Sequence, residues 1–323
     1  MNTYQSLLNK FNNSLANERF VKEPIQLYEP IDYTLSLGGK RLRPVLMLMA
    51  ADMFGCTPDR AIYPAIGVEI FHNFTLVHDD IMDNAPIRRG KPSVYKKWNP
   101  NTAILSGDTM FVMAYEYISR VEKDLLPEIL AVFTSTAKEV CEGQQYDMDF
   151  ESIEKVSIQD YLEMIRLKTA VLLAASLKIG AIISRTTKDN IDSIYHCGIN
   201  MGMAFQLMDD LLDTFSDPEK FGKKTGGDIM EGKKTFLYLK ALELADSSLK
   251  EELLRQYKNT CEPEQKIRDI VGIFNQLNIE EITREKVQFY SAQAAGLLQE
   301  LDIPDTSKEN LKAIIHEMTQ RDY

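Results

Sequence analysis

Hydrophobic residues recur at a helical period along most of the chain. They stand at positions i, i+3 and i+4 in three long segments: AIGVEIFHNFTLVHDDIMD (65–83), YLEMIRLKTAVLLAASLKIGAII (161–183) and CGINMGMAFQLMDDLLDTF (197–215). These segments are too long for single β-strands, and we find neither a series of alternating strands nor an Asn-Gly or Asp-Gly hairpin signal. The pattern predicts an all-α chain.

Short polar segments that contain glycine or proline separate the predicted helices. Examples are LGGK, FGCTPD, RRGKPS, KKWNPN, SDPEKFGKKTGGD and DIPDTS. None of them is a low-complexity linker, and no repeat of solenoid length is present. We therefore predict a single all-helical domain over residues 1–323, built as a bundle of helices of three turns or more.

The composition is that of a soluble globular protein, with 44% hydrophobic and 26% charged residues. A net charge of -11 argues against a nucleic-acid-binding protein that relies on bulk positive charge. The basic residues that could bind an anion are confined to local clusters. One cluster lies in residues 87–100 and another in residues 217–234, each after a predicted helix that ends in aspartates.

Cysteine usage and hydrophobicity bear on the compartment. The cysteines are far apart and form no CxxC pair, which favours single thiols in a reducing compartment over disulfides or a zinc site: Cys56, Cys141, Cys197 and Cys261. The N-terminus shows no signal-peptide pattern. The apolar run at 169–177 is about half of the ~20 residues that a membrane span requires. We expect a cytoplasmic protein without a transmembrane segment.

The segment LVHDDIMDNAPIRRG (76–90) places three aspartates just before two arginines. Asp79 and Asp83 are four residues apart and therefore share a helix face, with Asp80 beside them. Like charges at this spacing destabilise a bare helix by roughly 0.2–0.5 kcal/mol per pair. Bound Mg²⁺ would reverse that effect, since it takes carboxylate and phosphate oxygens as ligands. A solvated acidic turn is the alternative.

The same triad recurs in FQLMDDLLD, where it comprises Asp209, Asp210 and Asp213. Apolar residues surround this second triad, so part of it should face an interior cavity. Buried carboxylates are costly unless they are paired or bound to metal. Two matching triads on two helices predict opposite walls of one site for metal ions and a diphosphate.

Basic residues near these triads suit an anionic ligand. GGKRLRP (38–44) offers Gly39, Lys40 and Arg43 at the start of a helix, where backbone amides also favour anions. That segment alone could instead be a solvated basic turn, and IRRGKPS adds Arg88 and Arg89. FGKKTGGDIMEGKKT contributes four lysines and an aspartate, and it does not match the P-loop pattern: Lys223, Lys224, Asp228, Lys233 and Lys234.

Two further polar residues occur within apolar helical segments. Lys168, followed by Thr169, would be costly there if it were unpaired. His72 lies two helical turns before Asp79 and so nearly on the same face. A hydrogen-bonded core histidine and a ligand-binding histidine both remain open.

Taken together, the motifs GGKRLRP, HDDIMDNAPIRRG, KTA, FQLMDDLLD and GKKTGGDIMEGKKT resemble those of the trans-isoprenyl diphosphate synthases, or polyprenyl synthetases, in the same order. The resemblance covers nearly the whole chain. It implies an all-α bundle around a deep central cavity, usually in a homodimer. It also implies Mg²⁺-dependent head-to-tail condensation of isopentenyl diphosphate with an allylic diphosphate such as dimethylallyl, geranyl or farnesyl diphosphate.

The resemblance assigns roles to individual residues. About three Mg²⁺ ions would be held by the two aspartate motifs, in which Asp80 and Asp210 would act in support rather than as direct ligands: Asp79, Asp80, Asp83, Asp209, Asp210 and Asp213. The allylic diphosphate would contact residues from several segments: Arg88, Lys168, Thr169, Gln206, Lys223 and Lys233. The catalytic residues would be Asp79, Asp83, Asp209, Lys168 and Lys223.

The remaining assignments concern the second substrate and the product. A metal-free isopentenyl diphosphate site would comprise Gly39, Lys40, Arg43, His72 and Arg89. Thr169 and Gln206 would place dipoles near the allylic cation, and the last proton would leave to pyrophosphate. In the family, bulk before the first aspartate motif limits chain length, so Phe74 and Thr75 indicate a C20 product, geranylgeranyl diphosphate, with C15 close behind.

Two other functions are weighed against this one. A class I terpene cyclase shares the first aspartate motif but normally has a different second metal motif and needs no isopentenyl site. A non-catalytic subunit of a prenyl synthase would be expected to have lost aspartates or lysines of the motifs, and none is missing here. The sequence favours a short-chain prenyltransferase.

Overall fold

The computed structural model of the chain describes residues 2–216, 225–258 and 263–319. Within them the α-helices are α1 (Tyr4–Asn17), α2 (Ile25–Ser36), α3 (Leu42–Met53), α4 (Ile62–Met82), α5 (Val94–Lys97), α6 (Pro100–Ile118), α7 (Leu126–Ser152), α8 (Ile158–Ile165), α9 (Val171–Ile183), α10 (Lys188–Phe215), α11 (Gly227–Glu231), α12 (Phe236–Leu244), α13 (Ser247–Lys258), α14 (Pro263–Gln276), α15 (Ile279–Gln299) and α16 (Asp305–Thr319). Pro58–Ala61 form a 3₁₀ turn. The prediction of an all-α fold is confirmed.

Local sequence signals account for where several helices begin. The side chain of Thr3 accepts a hydrogen bond from the backbone of Ser6 at the start of α1. Asn99 does the same for Thr102 at the start of α6, where Pro100 takes the first helical position. A reciprocal capping box between Ser157 and Asp160 opens α8. These caps satisfy amide groups that a helix start otherwise leaves without partners.

The chain groups into two compact units. Unit 1 comprises Met1–Thr134 and Ala175–Asp192, and unit 2 comprises Ser135–Ala174 and Ser193–Tyr323, in each case as far as these residues are described. The first aspartate motif and the predicted isopentenyl site belong to unit 1. The second aspartate motif, Lys168 and Lys233 belong to unit 2. The single domain inferred from the sequence stays a prediction.

The core of unit 1 is built around α3 and α4. Seven consecutive residues of α3, from Val45 to Ala51, are buried, so this helix is apolar all round. Helix α4 packs closely against α6 at Gly67, where a Cβ atom would lie 2.9 Å from the carbonyl oxygen of Ala114. This close packing gives α4 a fixed position, and α4 carries the first aspartate motif at its C-terminal end.

The core of unit 2 forms around α10 and α12. Its buried side chains come from α8, α10, α12, α14 and α15, and include Leu207, Leu211, Leu237 and Phe274. The apolar residues on either side of the second aspartate motif thus face this core. That packing explains why part of the motif is buried.

Two local features depart from the sequence-based expectations. The segment 161–183 is not one continuous helix, because Arg166–Ala170 form a π-helical turn between α8 and α9. A short antiparallel hairpin joins β1 (Ile87–Arg88) to β2 (Lys91–Pro92). Its two turn residues, Arg89 and Gly90, both have a positive φ (52° and 73°). The hairpin therefore forms without the Asn-Gly or Asp-Gly pair that is common in such turns.

No helix among the described residues combines the length and the apolar character needed to cross a lipid bilayer.

Candidate active site

The three aspartates of the first motif have different environments at the end of α4. Asp79 is partly buried, Asp83 is exposed at the helix C-cap, and Asp80 is only 2% exposed. Successive helix positions are separated by about 100°, so Asp79 and Asp83 share one face while Asp80 points away from it. The outward face therefore carries two carboxylates that can reach a ligand.

Asp80 binds the first arginine of the hairpin. Arg88 donates two hydrogen bonds to Oδ1 of Asp80, from Nε at 2.9 Å and from Nη2 at 2.6 Å. Burial raises the pKa of Asp80, and the nearby Arg88 opposes that rise. This pair holds the hairpin against α4 at the end of the first aspartate motif.

The predicted isopentenyl residues also cluster within unit 1. Nη1 of Arg43 lies 3.3 Å from Nε2 of His72. The guanidinium of Arg89 lies so close to Gly39 that a Cβ atom there would be 3.0 Å from its Cζ. Lys40 is exposed in the same loop, where its carbonyl accepts a hydrogen bond from Tyr4. Arg43 from the first turn of α3 and Arg89 from the hairpin turn thus lie near His72 and Asn73 of α4.

His72 stays neutral in this environment. Its pKa lies well below 6.5, first because burial disfavours the charged form and then because Arg43 and Arg89 repel a further positive charge. Arg43 can only donate, so Nε2 of His72 accepts and the proton of the neutral ring is on Nδ1. The histidine thereby helps to orient Arg43.

A narrow cleft within unit 1 opens to solvent between α4 and the hairpin. Its lining includes Asn73, Asp80, Arg88 and Arg89, together with apolar side chains such as Val77. Two arginines of the hairpin and one carboxylate, Asp80, which is paired with Arg88, border this cleft.

The second motif, on α10, has a similar division of roles. Asp209 is partly buried, whereas Asp210 is 5% exposed and has both oxygens engaged. Oδ2 accepts a hydrogen bond from the hydroxyl of Tyr161, and Oδ1 accepts one from Nε2 of Gln206 at 2.9 Å. Burial and the neighbouring Asp228 raise the pKa of Asp210 well above its usual value.

A hydrogen-bonded chain leads from Asp210 to the π-helical turn. Because Nε2 of Gln206 faces Asp210, its Oε1 accepts a hydrogen bond from the hydroxyl of Thr169 at 3.0 Å. The structure thus joins Thr169, Gln206 and Asp210, which the sequence proposed as separate site residues. It adds Tyr161 as the buried anchor of the chain.

Asp213 holds the glycine-rich segment that precedes α11. Its Oδ2 accepts a hydrogen bond from the backbone amide of Asp228 at 2.9 Å, and its carbonyl accepts one from Gly226. Burial raises the pKa of Asp228 to about 6, with repulsion from Asp213 as the next cause. Lys233 lies 3.7 Å from Asp228.

Two of the predicted lysines, Lys168 and Lys233, are paired with carboxylates, whereas Lys234 donates to the carbonyl of Phe150. Nζ of Lys168 forms an ion pair with Asp147 of α7. Burial lowers the pKa of Lys233, but Asp228 and Glu231 outweigh this effect, so its pKa is raised. Lys223 and Lys224 lie outside the described residues. Lys168 and Lys233 are thus each held by a carboxylate of unit 2.

The π-helical turn is held between two glycines. A Cβ atom at Gly143 of α7 would lie 2.3 Å from the backbone nitrogen of Lys168, and one at Gly202 of α10 would lie 2.4 Å from Cα of Ala170. Only glycine permits such close approach of neighbouring helices. π-Turns are frequent at functional sites because they free backbone carbonyl groups.

The predicted chain-length residues lie on α4, one turn before the first motif. Phe74 is partly buried, with its ring centroid 5.2 Å from that of Phe111 and 4.8 Å from that of His78. The hydroxyl of Thr75 donates to the carbonyl of His72 at 2.8 Å. Phe74 therefore belongs to an aromatic cluster that restricts its movement.

The described donor groups fit magnesium bound together with a diphosphate. Among residues 2–216, 225–258 and 263–319, no group of three His, Cys, Asp or Glu side chains is arranged to hold a metal by itself. Mg²⁺ commonly uses only one or two carboxylates and completes its coordination with substrate phosphates and water. Asp80 is bound by Arg88, and Asp210 is bound by Tyr161 and Gln206, which is consistent with the supporting role expected for these two aspartates; the assignment of Asp79, Asp83 and Asp209 as metal ligands stays a prediction.

Sequence reasoning missed several residues that support the site. They are Arg41, Glu69 and Asn73 in unit 1 and Asp147 and Tyr161 in unit 2. One signal was available in the sequence: Glu69 and Asn73 are polar residues four apart within an otherwise apolar helix, where an unpaired charge is costly. For Tyr161 and Asp147 the sequence offered no comparable signal.

Comparison with known proteins places this arrangement in a family. Residues 24–274 match the model of the polyprenyl synthetase family. A geranylgeranyl diphosphate synthase of Methanosarcina mazei is 43% identical over 225 residues, which cover 69% of each protein. A geranylfarnesyl diphosphate synthase of Natronomonas pharaonis is 37% identical over 248 residues, or 71% of this chain and 73% of that protein.

A solved structure agrees with the described fold. The crystal structure of a geranylgeranyl pyrophosphate synthase superposes with a TM-score of 0.96 at 45% sequence identity, and the match covers 100% of both chains.

Proposed function

The chain belongs to the polyprenyl synthetase family, and we propose that it is a short-chain trans-prenyltransferase that condenses isopentenyl diphosphate with allylic diphosphates. One observation carries the proposal. Unit 1 presents two chemically different anion-binding groups on one helix: Asp79 and Asp83 beside the Asp80–Arg88 pair, and the arginine cluster around His72. A metal-bound allylic diphosphate suits the first group, and a metal-free diphosphate suits the second.

The residues of the aspartate motifs and the nearby cations act on the leaving group. Mg²⁺ bound by these aspartates, about three ions by resemblance to the family, would act as a Lewis acid on the diphosphate. Arg88, Lys168 and Lys233 compensate negative charge that develops when the allylic C–O bond breaks. Lys223 is assigned the same role from the sequence.

The π-helical turn supplies dipoles for the allylic cation. The hydroxyl of Thr169 donates to Gln206, so its oxygen lone pairs remain available to a positive charge. The apolar residues around α9 and α10 exclude water that would otherwise quench the cation. Pyrophosphate accepts the final proton, so no protein base is assigned.

The second substrate binds, in this proposal, to Gly39, Lys40, Arg43, His72 and Arg89. Neutral His72 keeps a proton on Nδ1 and orients Arg43, while the arginines provide paired donors that match phosphate oxygens. The absence of a metal requirement at this site follows from its charge, since the arginines already balance a diphosphate.

We propose geranylgeranyl diphosphate, C20, as the main product. Phe74, packed against Phe111 and His78, would block the path of a longer chain. Similar proteins that are named geranylgeranyl diphosphate synthase support C20. The Natronomonas relative is named geranylfarnesyl diphosphate synthase, so C25 is the longer alternative, and product analysis distinguishes it from C20. C15 remains the shorter alternative.

The expected assembly is a homodimer in the cytoplasm. Helix α6 exposes large apolar side chains, with Leu105 58% and Val112 67% exposed, and a second copy could cover them. The dispersed cysteines support a reducing compartment. Sedimentation of the purified wild-type protein and of a Val112→Glu variant tests the proposed dimer.

The experiment that tests the function is product analysis. Purified protein is incubated with Mg²⁺, isopentenyl diphosphate and, separately, dimethylallyl, geranyl and farnesyl diphosphate, with EDTA replacing Mg²⁺ in matched controls. The products are dephosphorylated and resolved by mass. A dominant C20 alcohol that disappears with EDTA is expected. Folded protein that yields no prenyl alcohol from any primer would favour a non-catalytic subunit, and a cyclic hydrocarbon would favour a terpene cyclase.

A further inference from the structure

The guanidinium of Arg89 is fixed by three neighbours within unit 1. Its Nη1 donates to the carbonyl of Gly38 and lies 3.4 Å from Oδ1 of Asn73 on α4. The bare Cα of Gly39 makes room for its Cζ. The loop at Gly38 and Gly39 therefore contacts the guanidinium on one side, and Asn73 of α4 contacts it on the other.

Asn73 has only one orientation that satisfies its amide. Its Nδ2 donates to the carbonyl of Glu69 at 2.8 Å and to Oε1 of the same residue at 2.9 Å. A flipped amide would place its oxygen against these two acceptors and lose both hydrogen bonds. The amide oxygen must therefore face Arg89.

Glu69 is itself anchored by a buried ion pair. Its Oε1 accepts a hydrogen bond from Arg41, which also donates to the carbonyl of Leu35. The side chains of Arg41 and Glu69 are only 4% and 2% exposed, so water competes little with this pair. A continuous chain of contacts thus runs from the buried Arg41 through Glu69 and Asn73 to Arg89.

The use of an amide orients Arg89 without a direct ion pair. Arg88 is paired with Asp80, and Arg41 is paired with Glu69. Within the described part of the chain, no carboxylate lies within ion-pair distance of Arg89. An amide oxygen can orient a guanidinium by one hydrogen bond without neutralising it, whereas a carboxylate would compete with an anionic ligand. Arg89 is exposed and so remains accessible.

From these contacts we infer that Asn73, oriented by Glu69, is a positioning residue for the metal-free diphosphate site and acts through Arg89. Asn73 holds the guanidinium in the orientation that presents two parallel N–H groups to a phosphate. The inference rests on the proposed function, because it takes isopentenyl diphosphate as the ligand of this site.

The test measures binding of isopentenyl diphosphate by calorimetry in EDTA and, in parallel, steady-state kinetics with Mg²⁺. Asn73→Ala should weaken isopentenyl diphosphate binding by about tenfold, the scale of one lost hydrogen bond to a charged group. The KM for isopentenyl diphosphate should rise equally. The KM for geranyl diphosphate and kcat at saturating isopentenyl diphosphate should stay unchanged, since the metal-dependent site is intact.

A double-mutant cycle tests whether Asn73 acts through the arginine. In an Arg89→Gln background, Asn73→Ala should cause no further loss of isopentenyl diphosphate binding, because the group that it orients is gone. A loss of equal size in both backgrounds would overturn the inference. So would unchanged binding in the single Asn73→Ala variant.

Two controls separate positioning from general destabilisation. Asn73→Ser keeps a hydroxyl that can bond the carbonyl of Glu69 but is too short to reach Arg89, so it should match Asn73→Ala. Asn200→Ala removes the corresponding amide-to-carbonyl hydrogen bond, 2.8 Å to His196, from α10 and should leave binding unchanged. If the wild-type protein forms no prenyl product, the proposed function fails; if it forms product and the Asn73 variants bind normally, only the inference fails.

Discussion

Gly143 of α7 and Lys168 of the π-helical turn are in such close contact that a Cβ atom on the glycine would lie 2.3 Å from the lysine backbone nitrogen. The obstructing atoms belong to the backbone and cannot rotate away as the end of a side chain could. The position of the turn therefore depends on the absence of a side chain at Gly143. The positions of the Lys168 and Thr169 side chains depend on it in turn.

Gly143→Ala should displace the π-helical turn and reduce activity. Overpacking of this kind typically costs about 1–3 kcal/mol of unfolding free energy. We expect a lower kcat together with a lower midpoint of thermal unfolding. Gly272→Ala is the matched control, since this exposed helical glycine on α14 has open space around it and alanine should stabilise the helix by roughly 0.5–1 kcal/mol. Full activity in Gly143→Ala would show that the turn tolerates displacement.

Tyr161→Phe should impair turnover through Asp210 and Gln206. Removal of the hydroxyl leaves Oδ2 of the buried Asp210 without its donor, at a cost of about 1–3 kcal/mol. Gln206 and Thr169 then lose a fixed orientation, so kcat should fall. Tyr117→Phe, which removes a comparable buried hydroxyl bonded to Glu18 in unit 1, should cost stability but not kcat. Equal kcat in the two variants would contradict a role for the chain in the site.

His72 should make the protein less stable at mildly acidic pH. Its folded-state pKa lies well below the unfolded value of 6.5, so the unfolded state binds more protons once the pH falls towards 6.5. The contribution to stability is complete above that value. It is lost as the pH falls, by up to about 1.4 kcal/mol per pH unit, until the folded-state pKa is reached.

Chemical denaturation of the wild type and of His72→Gln at pH 7.5 and 5.5 measures this contribution. The wild type should lose more unfolding free energy than the variant over this range. Asp228 has a raised pKa of about 6 and contributes with the opposite sign, but it does so in both proteins and cancels in the difference. Equal losses would show that His72 is protonated to the same extent in the folded and unfolded states.

Phe74→Ala should lengthen the product. Loss of the Phe74 ring opens space next to Phe111 and His78, whose ring centroids lie 5.2 Å and 4.8 Å from its own. Mass analysis of the dephosphorylated alcohols should show species longer than those of the wild type. Phe289→Ala, which truncates a phenylalanine that is 51% exposed, should not change the distribution. An unchanged distribution in Phe74→Ala would mean that another side chain limits the product.

Asp79→Ala and Asp209→Ala should each reduce turnover by orders of magnitude while the fold is retained. Each variant removes a carboxylate that we propose as a ligand of Mg²⁺ bound together with the allylic diphosphate, and charge on the leaving group would then be less well compensated. Calorimetry with Mg²⁺ and inorganic pyrophosphate should show weaker binding in both variants. Asp59→Ala, in a surface ion pair with Lys10, is the control. Near-normal rates would refute the metal assignment.

The sequence by itself determined the helical class and the family. Apolar periodicity alone identified the segments that became α4 and α10, because a helix buries one face whatever its partners. The DDxxD spacing placed Asp79 and Asp83 on a common face for the same reason. The motif order was also sufficient to indicate the family that the comparisons support.

Only the tertiary structure decided which polar groups hold others in place. Whether Asp80 faces a ligand or Arg88 depends on how the hairpin packs on α4, and Asp210 is engaged because Tyr161 reaches it from a different helix. The π-helical turn exists between Gly143 and Gly202, which lie far from it in the sequence. Such contacts join residues that are distant along the chain. A local sequence pattern does not indicate which distant group will form the hydrogen bond with a buried donor or acceptor.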